Sequence, residues 1–595
     1  MASFFLRSRP TANWSTGAKA LGDKVISTST TAFLGILFEV TTAGTSSGSE
    51  PSWNATIGST TTDSGGVVWT TRGGAGIWQA SKTYAVGDRV CRVSQTSYNS
   101  ASSCVWKCTT GGTSAGSEPS WPTTITSGTT TQTDGGVTWT AIVCGTWDDA
   151  NPFIAALLKD TANSTIKVAA GDKLYVSKTH AESTTPSNFT PMSIVFPGSS
   201  ASPNLLICCD DTGQLSTPTA VATSGSIAVS AASAFSAMAF GGHAYVYGIA
   251  FANNCTSGGC HIQLPGNSGV ASNLGLYFDH CSFTLANNTS SQFQVGGSNG
   301  THVEIVFDNT TLIFGNSNQS LTVYSCQWLW KNTGSGAFGG SIPSSGVINT
   351  NSGSQTIGNV TFEGVDLTGV GANTLFSLQY YVGGVKFKLA NCKLSASTTL
   401  IASVSDANLG FSVANIDIIN CDSGATNYKV RRAAGAGSIN DNTVNVRSGG
   451  ASDGTTAIAW KLVSNSDAQF AFPLESFPLA TWNDNSGSSK TATVEVLTDS
   501  VSALNNDDIW LEVEYLADSG DPLGGFANNA KSNILASNAA QTSSTATWTT
   551  TGITNVMKQK LQVSFTPQQK GPVTARVKLA KASATVYVDP VLSIA

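Results

Sequence analysis

The sequence predicts an all-β protein: two small tandem β modules, a right-handed parallel β-helix and a C-terminal antiparallel β-sandwich. Three observations carry this expectation. A module is written twice near the start, a short polar-then-small signature recurs through the middle, and residues 451–595 alternate apolar and polar positions. Composition agrees, since only 11% of the 595 residues are charged. Short runs of Val, Ile, Thr, Phe and Tyr between Gly, Ser and Asn favour strands and turns over helices. The expected division is 1–74 and 75–146 for the modules, 147–450 for the β-helix and 451–595 for the sandwich.

The duplication is explicit. GTSSGSEPSW at 44–53 returns as GTSAGSEPSW at 112–121, LGDKV at 21–25 as VGDRV at 86–90, and GGVVWT at 65–70 as GGVTWT at 135–140. Such self-similarity marks a small domain used in tandem. Each copy reads as an aromatic, a Gly-Asp turn, a strand, a polar loop closed by Pro-Ser-Trp and a Trp-bearing hairpin.

The order Trp78, Tyr84, Gly87-Asp88, Val90, a strand ending in Cys108, then GTSAGSEPSW and DGGVTWT resembles small carbohydrate-binding-like repeats of bacteriophage tail and other virion proteins. The resemblance covers residues 14–142 in two units. It implies that Trp53, Trp69, Trp78, Tyr84, Trp121 and Trp139 are candidates for glycan contact, because aromatic planes stack on the apolar faces of sugar rings. The alternative is that these rings form the core of a domain with few other large apolar residues.

Cysteines are the next question. Cys91, Cys104, Cys108 and Cys144 fall in the second copy, and the first copy offers Ile26 and Val40 at the positions of Cys91 and Cys108. Two disulfides are one reading, with Cys91–Cys108 favoured over other pairings, and Cys255–Cys260 across a Gly-Gly loop is a further candidate. Reduced buried thiols are the other. Neither the cysteine spacing nor the five scattered histidines matches a metal-site pattern, so no metal and no cofactor is expected.

A short helix is expected over PFIAALLKD at 152–160, followed by a strand in GDKLYVSKTHAE. Beyond it, ANNCTS around Cys255, FDHCSF around Cys281, FDNTTL around Thr310, FEGVDL around Val365, ANCKL around Cys392 and INCDS around Cys421 repeat a polar residue before a small one. Their positions step by 26, 29, 55, 27 and 29 residues. The 55 is a double step, and Cys326 in VYSCQW is the expected rung between, displaced in register. Three short strands and their bends per coil give such a period, and the signature reads as an inward ladder with a polar bend residue before it.

The C-terminal region returns to two-fold alternation. In IWLEVEYL, Ile509, Leu511, Val513 and Tyr515 share one face, and Glu512 and Glu514 the other, solvated one. That is a half-buried antiparallel strand, and several make a sandwich.

Function is bounded by exclusions. The formal charge of -6 and the lack of a basic cluster beyond Arg431-Arg432 argue against nucleic acid. The N-terminus lacks a signal-peptide core, and the apolar run FLGILFEV at 33–40 is too short to span a bilayer, so a soluble protein without membrane insertion is expected. Tandem modules, β-helix and sandwich together resemble bacteriophage appendage proteins of the tailspike or fibre kind. The resemblance implies a homotrimer exposed on the virion, contacting other virion proteins and a host cell-surface glycan, as a structural attachment protein. The alternative it implies is a depolymerase cutting capsular polysaccharide or lipopolysaccharide with a carboxylate pair. Weak candidates for that pair are Asp279, Glu304, Asp308, Glu363 and Asp366, with Glu304 and Asp308 on one strand face. The histidines, His180, His243, His261, His280 and His302, are expected in bend or ladder roles.

Overall fold

The computed structural model describes residues 2–29, 33–93, 103–160, 167–185, 191–214, 216, 218, 220–230, 236–256, 259–264, 273–296, 302–332, 336–344, 346–350, 357–378, 384–395, 398–403, 416–419, 421, 429–432, 443–447, 459–463, 476–484, 488–498, 504, 508–515, 534–548, 553–565, 571–579, 581, 584–588 and 593–595. The side chains of His302, Arg431, Arg432, Glu512, Glu514 and Tyr515 lie outside this description. The chain divides into two compact units, one holding 1–319, 325–331 and 339–341, the other the remainder.

In the first unit each N-terminal copy is a small antiparallel sheet. Ile36–Thr42 pairs with Val68–Gly73 in the first, and Cys104–Thr110 with Val137–Val143 in the second. A bulge falls at the same step of both pairings, between Val40 and Thr42 and between Cys108 and Thr110. The copies touch where Gly35 meets the Gly-Asp turn of the second copy. A Cβ at Gly35 would lie 1.8 Å from the Arg89 nitrogen, so only glycine permits this approach.

The N-terminal strand β1 (Ser3–Leu6) leaves the modules and pairs in parallel with β2 (Lys173–Ser177), forming the first rung of a long parallel sheet. A buried ionic network fixes this junction. Arg7 contacts Asp211 at 3.3 Å and Asp148 at 3.7 Å, Lys24 contacts Asp211 at 3.2 Å and Glu39 at 3.8 Å, and Arg72 contacts Glu39 at 2.8 Å. The helix α1 (Ile154–Leu158) lies within the expected span, and its Ile154 N–H donates to Glu182.

The sheet continues through β3 (Asn204–Cys209), β4 (His243–Tyr247), β5 (Asn273–Asp279), β6 (His302–Asp308) and β7 (Cys326–Lys331), each in parallel register with the one before. A second parallel sheet runs through Ala181–Thr184, Gly225–Val229, Ile249–Asn253, Ser282–Thr284 and Thr311–Phe314. A third runs through Met192–Val195, Ser236–Gly241, His261–Leu264 and Gln292–Val295. Three parallel sheets visited in turn make a parallel β-helix. Its interior is aromatic: Phe251 and Phe307 both stack on Phe283, at 5.2 and 5.5 Å, and Phe307 meets Trp330 edge-on at 5.0 Å.

The recurring sequence signature is the bend after this sheet. Gly248, His280 and Asn309 have φ of 72°, 52° and 45°, and each donates its N–H to the rung above. Glycine, asparagine and histidine tolerate that left-handed backbone best. Ile249, Cys281 and Thr310 follow, all buried. Two expectations shift. Cys255 follows a strand of the second sheet, so Gly248-Ile249 is the true bend of its rung. Cys326 opens β7 instead of sitting at a bend.

The second unit repeats the pattern in β8 (Ile357–Glu363), β9 (Gly384–Ala390) and β10 (Ile416–Ile419), with Gly364 and Asn391 at φ of 67° and 53°. Antiparallel strands follow. Lys490–Thr498 pairs with Ile553–Phe565, and Ile509–Tyr515 with Gly571–Leu579. The long strand Ile534–Trp548 joins both groups, its first part beside Ile509–Tyr515 and its second beside Ile553–Phe565. Alternate residues of these strands, such as Val494, Leu511, Val563 and Val577, are buried, forming the sandwich core. No helix among the described residues is long and apolar enough to cross a membrane.

Candidate functional site

Burial removes the first set of candidates. Trp69, Trp78, Tyr84 and Trp139 are buried in the module cores and offer no face to a sugar. Trp53 and Trp121 are half-buried, but Trp53 stacks on Phe38 at 3.8 Å and Trp121 lies on Trp106 at 4.6 Å. The repeated motif explains itself in these terms. Glu50 and Glu118 accept the indole N–H of Trp53 and Trp121, and Asp63 and Asp134 accept those of Trp69 and Trp139. Trp69, Trp78, Tyr84 and Trp139 thus serve the module cores, and Trp53 and Trp121 are the two of the six that keep part of their surface exposed.

Of the two readings of the cysteines, the structure has the reduced one: Cys91, Cys104, Cys108, Cys144, Cys255 and Cys260 form no disulfide with one another. Register explains it. The Cys108 N–H bonds to Asp88, three residues from Cys91, or about 10 Å along a strand. Cys104 faces Val143, not Cys144. Asn253 takes the place of a Cys255–Cys260 bridge, accepting from the Cys255 N–H and donating to the Cys260 carbonyl.

The carboxylate candidates divide. Glu363 and Asp366 belong to the second unit, where Asp366 accepts from the Thr368 N–H and hydroxyl. Burial would raise the Asp366 carboxyl, but those bonds hold it below the usual range. Glu304 is exposed on β6, four residues before Asp308. Asp279 and Asp308 are brought together, since the register pairs Asp279 of β5 with Asp308 of β6. Adjacent strands lie about 4.8 Å apart, so the two carboxylates stack on one outward column.

Around them is a set that periodicity alone did not mark. Tyr247, Asp279, Asp308 and Lys331 form one column of paired residues, and Tyr245 and Tyr277 another. Each tyrosine reaches diagonally to the next rung: Tyr245 donates to Asp279 at 2.6 Å and Tyr277 to Asp308 at 2.6 Å. The two tyrosine rings lie 5.2 Å apart. His280, half exposed in its left-handed bend, places Nδ1 2.5 Å from the other Asp279 oxygen and its ring 5.3 Å from Tyr247. Lys331 closes the top at 2.9 Å from Asp308, with its ammonium 5.4 Å from the Tyr277 ring centre. The bend residue is the signal that finds this set: once it fixes the register, the residues one and three positions before it line up on the outward face.

Charge states follow from these contacts. Burial pushes Asp308 up, but Tyr277 and Lys331 outweigh it and hold the carboxyl below its ordinary value. Burial and the hydrogen bond to a carboxylate raise Tyr245 and Tyr277, which stay protonated donors. Hydrogen bonds with Tyr277 and Asp308 raise Lys331, which stays charged. An ionised Asp308 with three protein donors, including the Asn309 amide at 3.1 Å, is the opposite of a general acid. Among the described residues no group of three or more His, Cys, Asp or Glu is placed to hold a metal.

No protein-family model matches this chain, and no curated protein matches it. Among solved structures, the crystal structure of the bacteriophage CBA120 tailspike protein 4 enzymatically active domain is similar over 98% of this chain and 88% of that one, at 13% identity and a TM-score of 0.21.

Proposed function

We propose that the chain is a structural appendage of a bacteriophage virion, of the spike or fibre kind, and that it attaches to a host surface glycan through the outward Tyr–Asp face of its parallel sheet. The observation that carries this reading is the column of half-buried tyrosines hydrogen-bonded to carboxylates on an aromatic-cored β-helix. Rings offer stacking surfaces and carboxylates accept sugar hydroxyls, while the interior fixes their spacing. A homotrimer held on the particle by other virion proteins is part of the proposal, and sedimentation of the purified chain as a monomer would remove that part.

The second reading, depolymerase activity, is favoured by one observation, the stacking of Asp279 on Asp308 at a spacing of about 4.8 Å, near that of retaining glycosidases. Against it stands the engagement of Asp308 by Tyr277, Lys331 and Asn309, which ties up the oxygens a nucleophile would present. One experiment addresses both: the full-length protein is assayed on host surface polysaccharides for binding and for release of reducing ends. Binding without release is expected. At about 0.5–1.5 kcal/mol per aromatic contact, Tyr245→Ala with Tyr277→Ala should weaken binding about tenfold. Binding that ignores both changes would refute the placement of the site, and release abolished by Asp308→Asn would establish the enzyme.

A further inference from the structure

The outward face contains the same small construction twice, one rung apart. In the upper copy the Tyr277 hydroxyl donates to Asp308 at 2.6 Å, and the Lys331 ammonium completes it, 2.9 Å from the carboxylate and 5.4 Å from the centre of the tyrosine ring. In the lower copy Tyr245 donates to Asp279 at the same 2.6 Å. The register sets Tyr245 against Tyr277, Asp279 against Asp308 and Asp308 against Lys331. The strand position that supplies an ammonium to the upper cradle therefore supplies a carboxylate to the lower one.

The charged groups facing the lower cradle can be named. His280 reaches one oxygen of Asp279 from the bend, Asp308 lies one rung above and is matched by Lys331, and Tyr245, Tyr247 and Tyr277 contribute ring faces and hydroxyls. The two carboxylates are thus faced by one ammonium, Lys331 on Asp308, and by the His280 imidazole on a single oxygen of Asp279. A carboxylate oxygen keeps an acceptor site after one hydroxyl bond, and a tyrosine ring attracts a cation on its face.

We propose that the Tyr245–Asp279 cradle binds a primary ammonium group carried by the glycan, the group that Lys331 supplies to the neighbouring copy. The preferred ligand class is thus an aminated glycan over a neutral one, and a neutral glycan over an acidic one. This rests on reading the face as a glycan-binding surface.

The test uses the full-length chain and three derivatives of one polymer: aminoethyl-dextran, its N-acetylated form and carboxymethyl-dextran, at pH 7.5 and 0.15 M salt. The amine should bind at least tenfold tighter than its acetylated form, and the carboxymethyl polymer weakest. Asp279→Asn should bring the amine and acetamide within twofold of each other. Glu304→Gln makes the same charge change on the same face four residues from Asp308 and should leave the preference intact. Tyr245→Phe keeps the ring and should retain part of it. No amine preference, or an equal loss in Asp279→Asn and Glu304→Gln, overturns the proposal. Host-polysaccharide binding that depends on Tyr245 and Tyr277 without an amine preference would overturn this inference alone. An amine preference that depends on Asp279, without host-polysaccharide binding, would overturn only the adhesion reading.

Discussion

Replacing Asp211 by alanine should release the N-terminal strand. Asp211 is fully buried and binds two buried cations, Arg7 at 3.3 Å and Lys24 at 3.2 Å. The network holds three cations, Arg7, Lys24 and Arg72, against three anions, Glu39, Asp148 and Asp211. Removing one anion leaves a buried positive charge without compensation, which costs about 3–5 kcal/mol. The strand opens locally before the chain unfolds, so the cost appears in amide exchange. At about 1.4 kcal/mol per tenfold, the amides of Phe5 and Arg7, which bond to Cys144 and Asn151, should exchange about 10²- to 4×10³-fold faster. Asp211→Leu with Lys24→Met restores the balance of charge and should recover most of the protection. Acidification should act in the same direction. Burial raises the Asp211 carboxyl, but Lys24 and Arg7 outweigh it and hold it below its unfolded value. Its contribution is thus present above about pH 3.9 and is lost as pH falls through the folded value. Exchange within threefold of wild type in Asp211→Ala would refute the coupling.

Other consequences are equally direct. Asp134 accepts two buried indoles, Trp78 at 2.7 Å and Trp139 at 3.0 Å, so Asp134→Ala should cost about 2–6 kcal/mol at 1–3 per unsatisfied donor, read from tryptophan fluorescence in denaturant. His280→Asn should leave stability unchanged because asparagine tolerates φ of 52°, whereas His280→Val should cost about 1–2 kcal/mol in the same assay. The thiols of Cys108, Cys209, Cys281 and Cys326 are pushed up to about 12 by burial, so a thiol reagent at pH 8 should label them only after unfolding. Removing Lys331 by substitution with methionine should raise the Asp308 titration midpoint, measured by carbonyl NMR, because Lys331 is one of the groups that depress it.

The fold was legible wherever local backbone demands write themselves into residue types. A left-handed bend admits few residues, so Asn309, Gly364 and Asn391 printed the coil period, and one-sided burial printed the alternation at Ile509, Leu511 and Val513. The candidate site was legible only in part. Glu304 and Asp308 share a face by parity, but the meeting of Asp279 with Asp308 depends on register between neighbouring strands, and that of Tyr277 with Lys331 on register across two strand steps. The module tryptophans misled for a related reason: residue type shows that a ring needs burial or a ligand, not which it has. The choice between disulfides and reduced thiols was closed to the sequence at the same level, since the strands of Cys91 and Cys108 pair while their register holds the two sulfurs apart.

The place of β1 sets an order of events. Ser3–Leu6 is made before both modules, yet its partner Lys173–Ser177 emerges only after both have been synthesised. Until then the apolar segment from Phe4 to Leu6 lacks its parallel neighbour and has only the Cys144 and Asn151 backbone to bond to. The two modules, built from contacts close in sequence, can close while it waits, whereas the long closure to β2 must come later. The strand edge of Ser3–Leu6 thus stays open while the two modules are made, and synthesis of the first β-helix strand is what finally seals it.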